Sequence, residues 1–374
     1  MVFIMNKIKA ILIIFTLLLG VLVVLSPVSA ATYNVYPGDD IEAIIEGSSS
    51  GDTIYVHAGT YHPTGTITMP ADHITIIGDD PFTTIIDGTG LGDVITTYLH
   101  SYMIVRNLTV QNAYDDAIEV QNYCEVTNCI IYNCDDGIVY DTSGHHNTIR
   151  YCTVTDCRDD GIQVYDYNTI ENCIILRNQG DGIDLGNHNN VKNCLVADNG
   201  DEGFELDDYN KILNCTISNN GADEEGDGID GGDYCEITNC IATGNSDDGI
   251  DIHTLGGSIQ YCNSWNNDEQ DYDELPGGIG CISQDPQFTS GSYSWPFWYK
   301  SGVIDYFLSN SSPCINKGST AASILDLGTG WSTTLGGRSD SGAVDMGFHF
   351  ASKGSSSSLP MDKILKILKE NKEK

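Results

Sequence analysis

Two columns of residues, each returning every 20 to 25 positions, predict an all-β chain: a single-stranded right-handed parallel β-helix solenoid with an N-terminal capping helix. The first column follows an acidic, glycine-rich signal. It holds Ile118, Ile138, Ile162, Ile183, Phe204, Ile229 and Ile250, at intervals of 20, 24, 21, 21, 25 and 21. The second holds Cys129, Cys152, Cys173, Cys194, Cys215, Cys240 and Cys262, each three residues after a Val or Ile. A repeat this short cannot hold paired helices, and its β-branched runs of four or five residues broken by Asn, Asp and Gly are strands. Stacked coils of such strands lie about 4.8 Å apart in parallel ladders. Parallel crossovers are right-handed. A leucine-rich repeat shares the period but would need leucine where these repeats carry isoleucine, asparagine and cysteine.

Residues 1–30 have the layout of a secretory signal peptide: Lys7 and Lys9, an uncharged apolar run over 10–25, then Val28-Ser29-Ala30. The solenoid with its end caps is expected over 31–350, followed by a Ser linker and basic amphipathic tail over 351–374. No stretch after the signal is long and apolar enough to span a bilayer, so a secreted or cell-surface monomer is expected.

The formal charge is −36, from 53 acidic and 17 basic residues. Six lysines sit in the tail and two in the signal, which leaves the body four lysines and five arginines. Such a body repels nucleic acid and anionic membranes and attracts cations.

Polar columns mark the corners. Five residues before each column cysteine stand Cys124, Asn147, Asn168, Asn189, Asn210, Cys235 and Gly257; five after it stand Cys134, Cys157, Asn178, Asn199, Asn220, Asn245 and Asn267. Asn tolerates the left-handed conformation of a bend, and stacked Asn side chains can bond up a column. Thirteen cysteines in a secreted chain suggest disulfides, but one thiol per coil in register places Cβ atoms about 4.8 Å apart, wider than the roughly 3.8 Å a bridge prefers. The column is expected to be buried and reduced; Cys134 with Cys157 and Cys281 with Cys314 are the pairs that could bridge.

The chain also resembles a known family. Over 32–88 the helix at 41–46, GDTIYV, AGTY, ITIIGDD and TTIIDG are similar to the N-terminal region of pectate-lyase-like β-helix proteins. The repeats resemble those shared by polysaccharide lyases, NosD-type periplasmic proteins and many surface proteins. DPQF at 285–288, 306–319 and GRSDSGAVDMGFHF at 337–350 resemble the closing segment of secreted β-helix proteins. The resemblance implies the fold. It implies three functions: binding of extracellular polysaccharide or a place in the cell envelope, calcium-dependent lyase or epimerase action on acidic glycans, or NosD-like periplasmic maturation. It transfers no catalytic residue, because the GHG and RIK signatures of polygalacturonases and the DFIFG of pectin methylesterases are missing.

Alternation along the first-column strands turns Asp184, Glu205, Asp230 and Asp251 outward, one above another. Asp181, Asp227 and Asp248 precede the repeat glycine on these coils. This pre-glycine row also suits turn chemistry. Like charges about 5 Å apart repel by roughly 1 kcal/mol in water, so the row should raise its own pKa values or recruit a cation. Ca²⁺, with six to eight oxygens in flexible geometry, fits these seven acids. His253, two residues beyond Asp251, is the candidate base. Trp295, Trp298 and Tyr299, beside Phe297, are candidate sugar-stacking residues or a cover for the core.

Overall fold

The computed structural model of the chain describes residues 30–140, 144–222, 226–289, 306–327, 331–334, 340 and 342–351. Residues 1–29 of the expected signal peptide, residues 352–374 of the expected tail, and Trp295, Trp298 and Tyr299 lie outside them. From Thr32 onward the chain winds into a right-handed parallel solenoid in which each coil adds one strand to each of three sheets. Sheet one has nine strands, from Ile67–Thr68 to Asp251–Ile252. Sheet two has eleven, from Thr32–Val35 to Ser258–Gln260. Sheet three has ten, from Gly59–Tyr61 to Asn263–Trp265.

Most strands are three residues long, enough for one inward–outward–inward alternation on sheet one. Ile183 and Leu185 point into the core while Asp184 points out, and the same register continues through Phe204–Leu206 and Ile229–Gly231. The interior is one continuous column of Ile, Val, Leu and Cys running from Val35 to Cys262.

The corners correct one sequence expectation. The asparagine columns are not the left-handed residues; the residue before each of them is. Asn147, Asn168, Asn189 and Asn210 are buried, and the backbone N–H of each of the first three donates to the amide oxygen of the next asparagine at 2.7–2.8 Å. The left-handed position falls to Tyr102, Tyr123, His146, Tyr167, His188, Tyr209 and Tyr234, with φ between 57° and 63°. A bulky side chain there costs about 1–2 kcal/mol. Stacking offsets it: with His73, these rings form a continuous external ladder whose centroids are 4.7–5.2 Å apart. A second left-handed column precedes the cysteines, at Asn128, Tyr151, Asn172, Asn193, Asn214, Asn239 and Tyr261.

Both ends of the core are covered. Asp40 caps helix α1 (Ile41–Glu46) by accepting the Ala43 N–H, and Ile41 and Ile45 bury themselves in the cluster shared with the first coils. At the far end Tyr272, Leu275 and Cys281 pack on the core, with the Tyr272 hydroxyl 3.1 Å from Cys262 O and 2.9 Å from Ile282 O. The closing segment folds back along the side, one of the two arrangements its sequence allows. Tyr306, Phe348 and Phe350 cover Ile174, Leu176, Leu195 and Ala197 of sheet three. Asn193 exchanges two hydrogen bonds with the His349 backbone, and Asn214 donates to Asp345 O. Buried His349 places Nε2 2.9 Å from Asp340 Oδ2 and Nδ1 2.9 Å from Gly347 O, which fixes the ring between two stretches of the closing segment. Sheet three is therefore occupied, and sheet one with its acids faces outward.

The ring ladder sets a direct comparison. Tyr167→Ala removes two stacked contacts, each about 0.5–1.5 kcal/mol, and keeps the backbone strain; destabilisation of about 1–3 kcal/mol is expected. Tyr167→Gly removes the same contacts and the strain, and its unfolding midpoint in denaturant should lie between those of the alanine variant and wild type.

Candidate functional site: an acid ladder on sheet one

The repeat offers three positions for acids, and each coil from Ile118 to Ile250 fills two or three of them. The parallel register sets Asp184 beside Glu205, Glu205 beside Asp230, and Asp230 beside Asp251. The outward row predicted from alternation is thus in place, although Asp184, Asp230 and Asp251 are half-buried rather than free in solvent. Gln163, at the head of the row, donates from Nε2 to Asp160 at 3.1 Å and to Asp184 at 2.9 Å, tying the outward row to the pre-glycine row.

The pre-glycine row serves its turns. Asp160 Oδ1 accepts the N–H of Asp181, Asp181 Oδ1 that of Glu202, Asp227 Oδ1 that of Asp248, and Asp248 Oδ1 that of Gln270, at 2.6–2.9 Å. One oxygen of each carboxylate holds the next coil; the other is taken by Gln163 in Asp160 and is not used by the turn in Asp181, Asp227 and Asp248. The turn-chemistry and ligand readings of this row are compatible.

The closest groupings differ from the set chosen from sequence. Carboxylate oxygens of Asp181, Asp201 and Glu202 lie within 4.8 Å of one another, as do those of Asp227, Asp247 and Asp248. The same arrangement recurs at Asp93, Asp115 and Asp116, and at Asp136, Asp159 and Asp160. Each group joins one coil's pre-glycine acid to the acid pair of the next. Asp201, Glu202 and Asp247 were thus missed as ligand candidates; the doublets Asp115-Asp116, Asp135-Asp136, Asp159-Asp160, Asp201-Glu202 and Asp247-Asp248 were their signal. Asp181 also contacts Glu205, which links one group to the outward row.

Burial raises these carboxyls first, and neighbouring acids add to it. Asp116 is pushed up to about 8, Asp136 to about 6, Asp160 to about 7, and Asp227 to about 7. Asp184 and Asp251 rise to about 6. Asp181 rises to about 10 through burial and its contact with Glu202, itself raised to about 7 by burial. The density peaks at the C-terminal end, where Asp251 meets Glu274, Asp230, Asp273 and Asp248. There Asp251 Oδ1 is buried and makes no hydrogen bond among the described residues.

Basic groups are sparse along this face. His253 is exposed, its N–H donates to Gly231 O, and its ring lies close enough to Asp230 to lower that carboxyl against the effect of burial. Arg158 donates from Nε to Asp135 and from Nη2 to the carbonyls of Ala113 and Tyr114. Arg158 also lines a cleft of about 510 Å³ with Thr89, Gly92, Asn112, Tyr114 and Asn133. Tyr114 is 80% exposed there. The cleft was not anticipated, because the residues that form it belong to loops outside both repeat columns.

The raised carboxyls fix the sign of a pH dependence. A carboxyl whose pKa is higher folded than unfolded stabilises the fold fully below about pH 4, and that contribution is lost as pH rises through 6 to 8. In chelator-treated protein the melting temperature should fall between pH 5 and pH 8. Asp227→Asn, in thermal scans across that range, should flatten the slope.

A family model described as the right-handed beta helix region matches residues 86–208 and 185–267. Among solved structures, pectate lyase Pel9A aligns with 18% identity and a TM-score of 0.53 over 86% of this chain and 98% of its own. The A-module of mannuronan C-5 epimerase AlgE4 from Azotobacter vinelandii aligns with 14% identity and a TM-score of 0.38, over 63% of this chain and 91% of its own. The catalytic domain of a GH87 alpha-1,3-glucanase shows 14% identity and a TM-score of 0.43, over 68% of this chain and 65% of its own. No curated protein sequence matches the chain. The repeat, the three parallel sheets, the family match and the alignment with the pectate lyase agree: this is a right-handed parallel β-helix protein of pectate-lyase-like fold.

Proposed function

We propose that the protein is secreted or displayed at the cell surface and binds extracellular polysaccharide, with Ca²⁺ held by the acid ladder between protein and glycan. The observation that carries this reading is the C-terminal acid cluster. Asp227, Asp247 and Asp248 approach within 4.8 Å, Asp230 and Asp251 stand beside them, and one buried Asp251 oxygen has no partner among the described residues. Such oxygens suit Ca²⁺, which accepts mixed carboxylate geometry and neutralises charges that the protein's few basic groups leave unbalanced. The same argument applies to Asp181, Asp184, Glu202 and Glu205. A bound divalent cation would supply a bridge to sugar carboxylates or hydroxyls. The cleft at Tyr114 adds an exposed ring for a sugar face and the guanidinium of Arg158. The fold is shared with a pectate lyase, which supports a glycan-related role.

Lyase or epimerase action is the second reading, and His253 beside Asp230 favours it. Proton abstraction next to a sugar carboxylate needs a base beside the cation, and among the described residues His253 is the imidazole that meets this condition.

Binding and catalysis separate in one set of measurements. Acidic and neutral polysaccharides are screened by affinity electrophoresis, with Ca²⁺ and with Na⁺ at matched ionic strength. Calcium-dependent retardation without release of unsaturated product supports binding. Product that disappears in His253→Ala supports the lyase. Absence of both with every glycan refutes the proposal. Ca²⁺ should also raise the melting temperature, by the equivalent of about 2.7 kcal/mol at a hundred times its dissociation constant. Asp230→Asn combined with Asp251→Asn should shrink that shift sharply. A double variant that is more stable without calcium, and that responds alike to Na⁺ and Ca²⁺, would leave the ladder as a solubility device.

A further inference from the structure

We infer that the partly exposed end of the cysteine column, Cys262 with Cys281, is a binding site for one soft cation that prefers two-coordinate, linear thiolate ligation, the class of Cu⁺ and Ag⁺. The cysteine column is in register, one thiol per coil, and all thirteen cysteines are free. That register disfavours disulfides, since Cβ atoms about 4.8 Å apart are wider than the roughly 3.8 Å a bridge prefers. The same repeat matches a linear sulfur–metal–sulfur unit, because two thiolate–metal bonds of roughly 2.3 Å each span about 4.6 Å.

The column has an entrance at one end only. Cys129 to Cys262 are wholly buried, whereas Cys281 is partly exposed among the cap residues. Cys281 Sγ accepts the Cys262 N–H at 3.4 Å, and Cys262 Sγ accepts the Cys240 N–H at 3.4 Å. Each sulfur thus faces a backbone donor; burial still holds the Cys262 thiol well above its ordinary value, so its proton leaves only as the metal binds. The Cys281 thiol also contacts the thiol of Cys262 and the hydroxyl of Tyr272, and its pKa is drawn down to about 6. Thiolate donors select soft ions over Ca²⁺ and Mg²⁺, so this site does not compete with the acid ladder. Binding is not a redox step. The thiols of Cys262 and Cys281 each release a proton to solvent, and two sulfur–metal bonds form to an ion whose charge is unchanged.

The probe is Ag⁺ alone, added at up to one equivalent to the reduced, full-length mature protein in chloride-free buffer. Wild type should take up one ion, and X-ray absorption should show two sulfur neighbours and no oxygen or nitrogen. Cys281→Ser should lose at least a hundredfold in affinity without a shift in melting temperature, since its side chain lies at the rim of the core; Cys314→Ser should bind as wild type does. Unchanged affinity in Cys281→Ser, or a coordination shell with one sulfur or with light atoms, overturns the inference. Should Cys281→Ser fail to fold, the absorption spectrum of wild type decides alone.

Discussion

The constraint on which everything else rests is the in-register parallel ladder. Each coil sits about 4.8 Å above the last, so a side chain at one position meets its counterpart in the next coil, and every column must be chemically compatible with itself. Isoleucine satisfies this by packing. Asparagine satisfies it because one amide both donates and accepts, as the buried pairs Asn168–Asn189, Asn178–Asn199 and Asn199–Asn220 show. Aromatic rings satisfy it by stacking, and thiols by being small and tolerant of one another.

Carboxylates do not satisfy it. The acid columns of sheet one are where the protein departs from that rule, and the departure shows in their raised pKa values. A structure that wanted only solubility could place Thr or Ser on an exposed strand face. Sheet two does so in part, with Thr148 beside Thr169, while its charges pair with opposite signs at Lys211–Glu236 and Arg150–Glu125. Repulsion is thus concentrated on sheet one and balanced by opposite charges on sheet two.

Much of this was legible in the sequence. The period gave the coil, the Ile and Cys columns gave the core, and strand alternation gave the outward acids Asp184, Glu205, Asp230 and Asp251. Two things were not legible, for different reasons. The left-handed corner fell one residue earlier than the asparagines, because propensity favours Asn at a bend while the stack rewards Tyr and His there; the column Tyr123, His146, Tyr167, His188, Tyr209 was open to view but has no conformational preference that would flag it. The cation-sized groups of acids join residues from consecutive coils, so their membership depends on how the turn loops descend from one coil to the next. Periodicity does not encode that descent, and it says nothing of the cleft around Tyr114, whose loops vary in length from coil to coil.

The returning C-terminal segment changes what kind of object the solenoid is. A bare stack of coils touches only its neighbours and can fray from either end. Here residues 156 positions apart, Asn193 and His349, are joined by paired hydrogen bonds in the middle of the stack. A pull on the chain near Phe350 is therefore delivered to central coils as shear across several amide and aromatic contacts, not as peeling of the last coil. A protein tethered through its C-terminus would hold its shape under flow or tension better than its coil-by-coil contacts alone would allow.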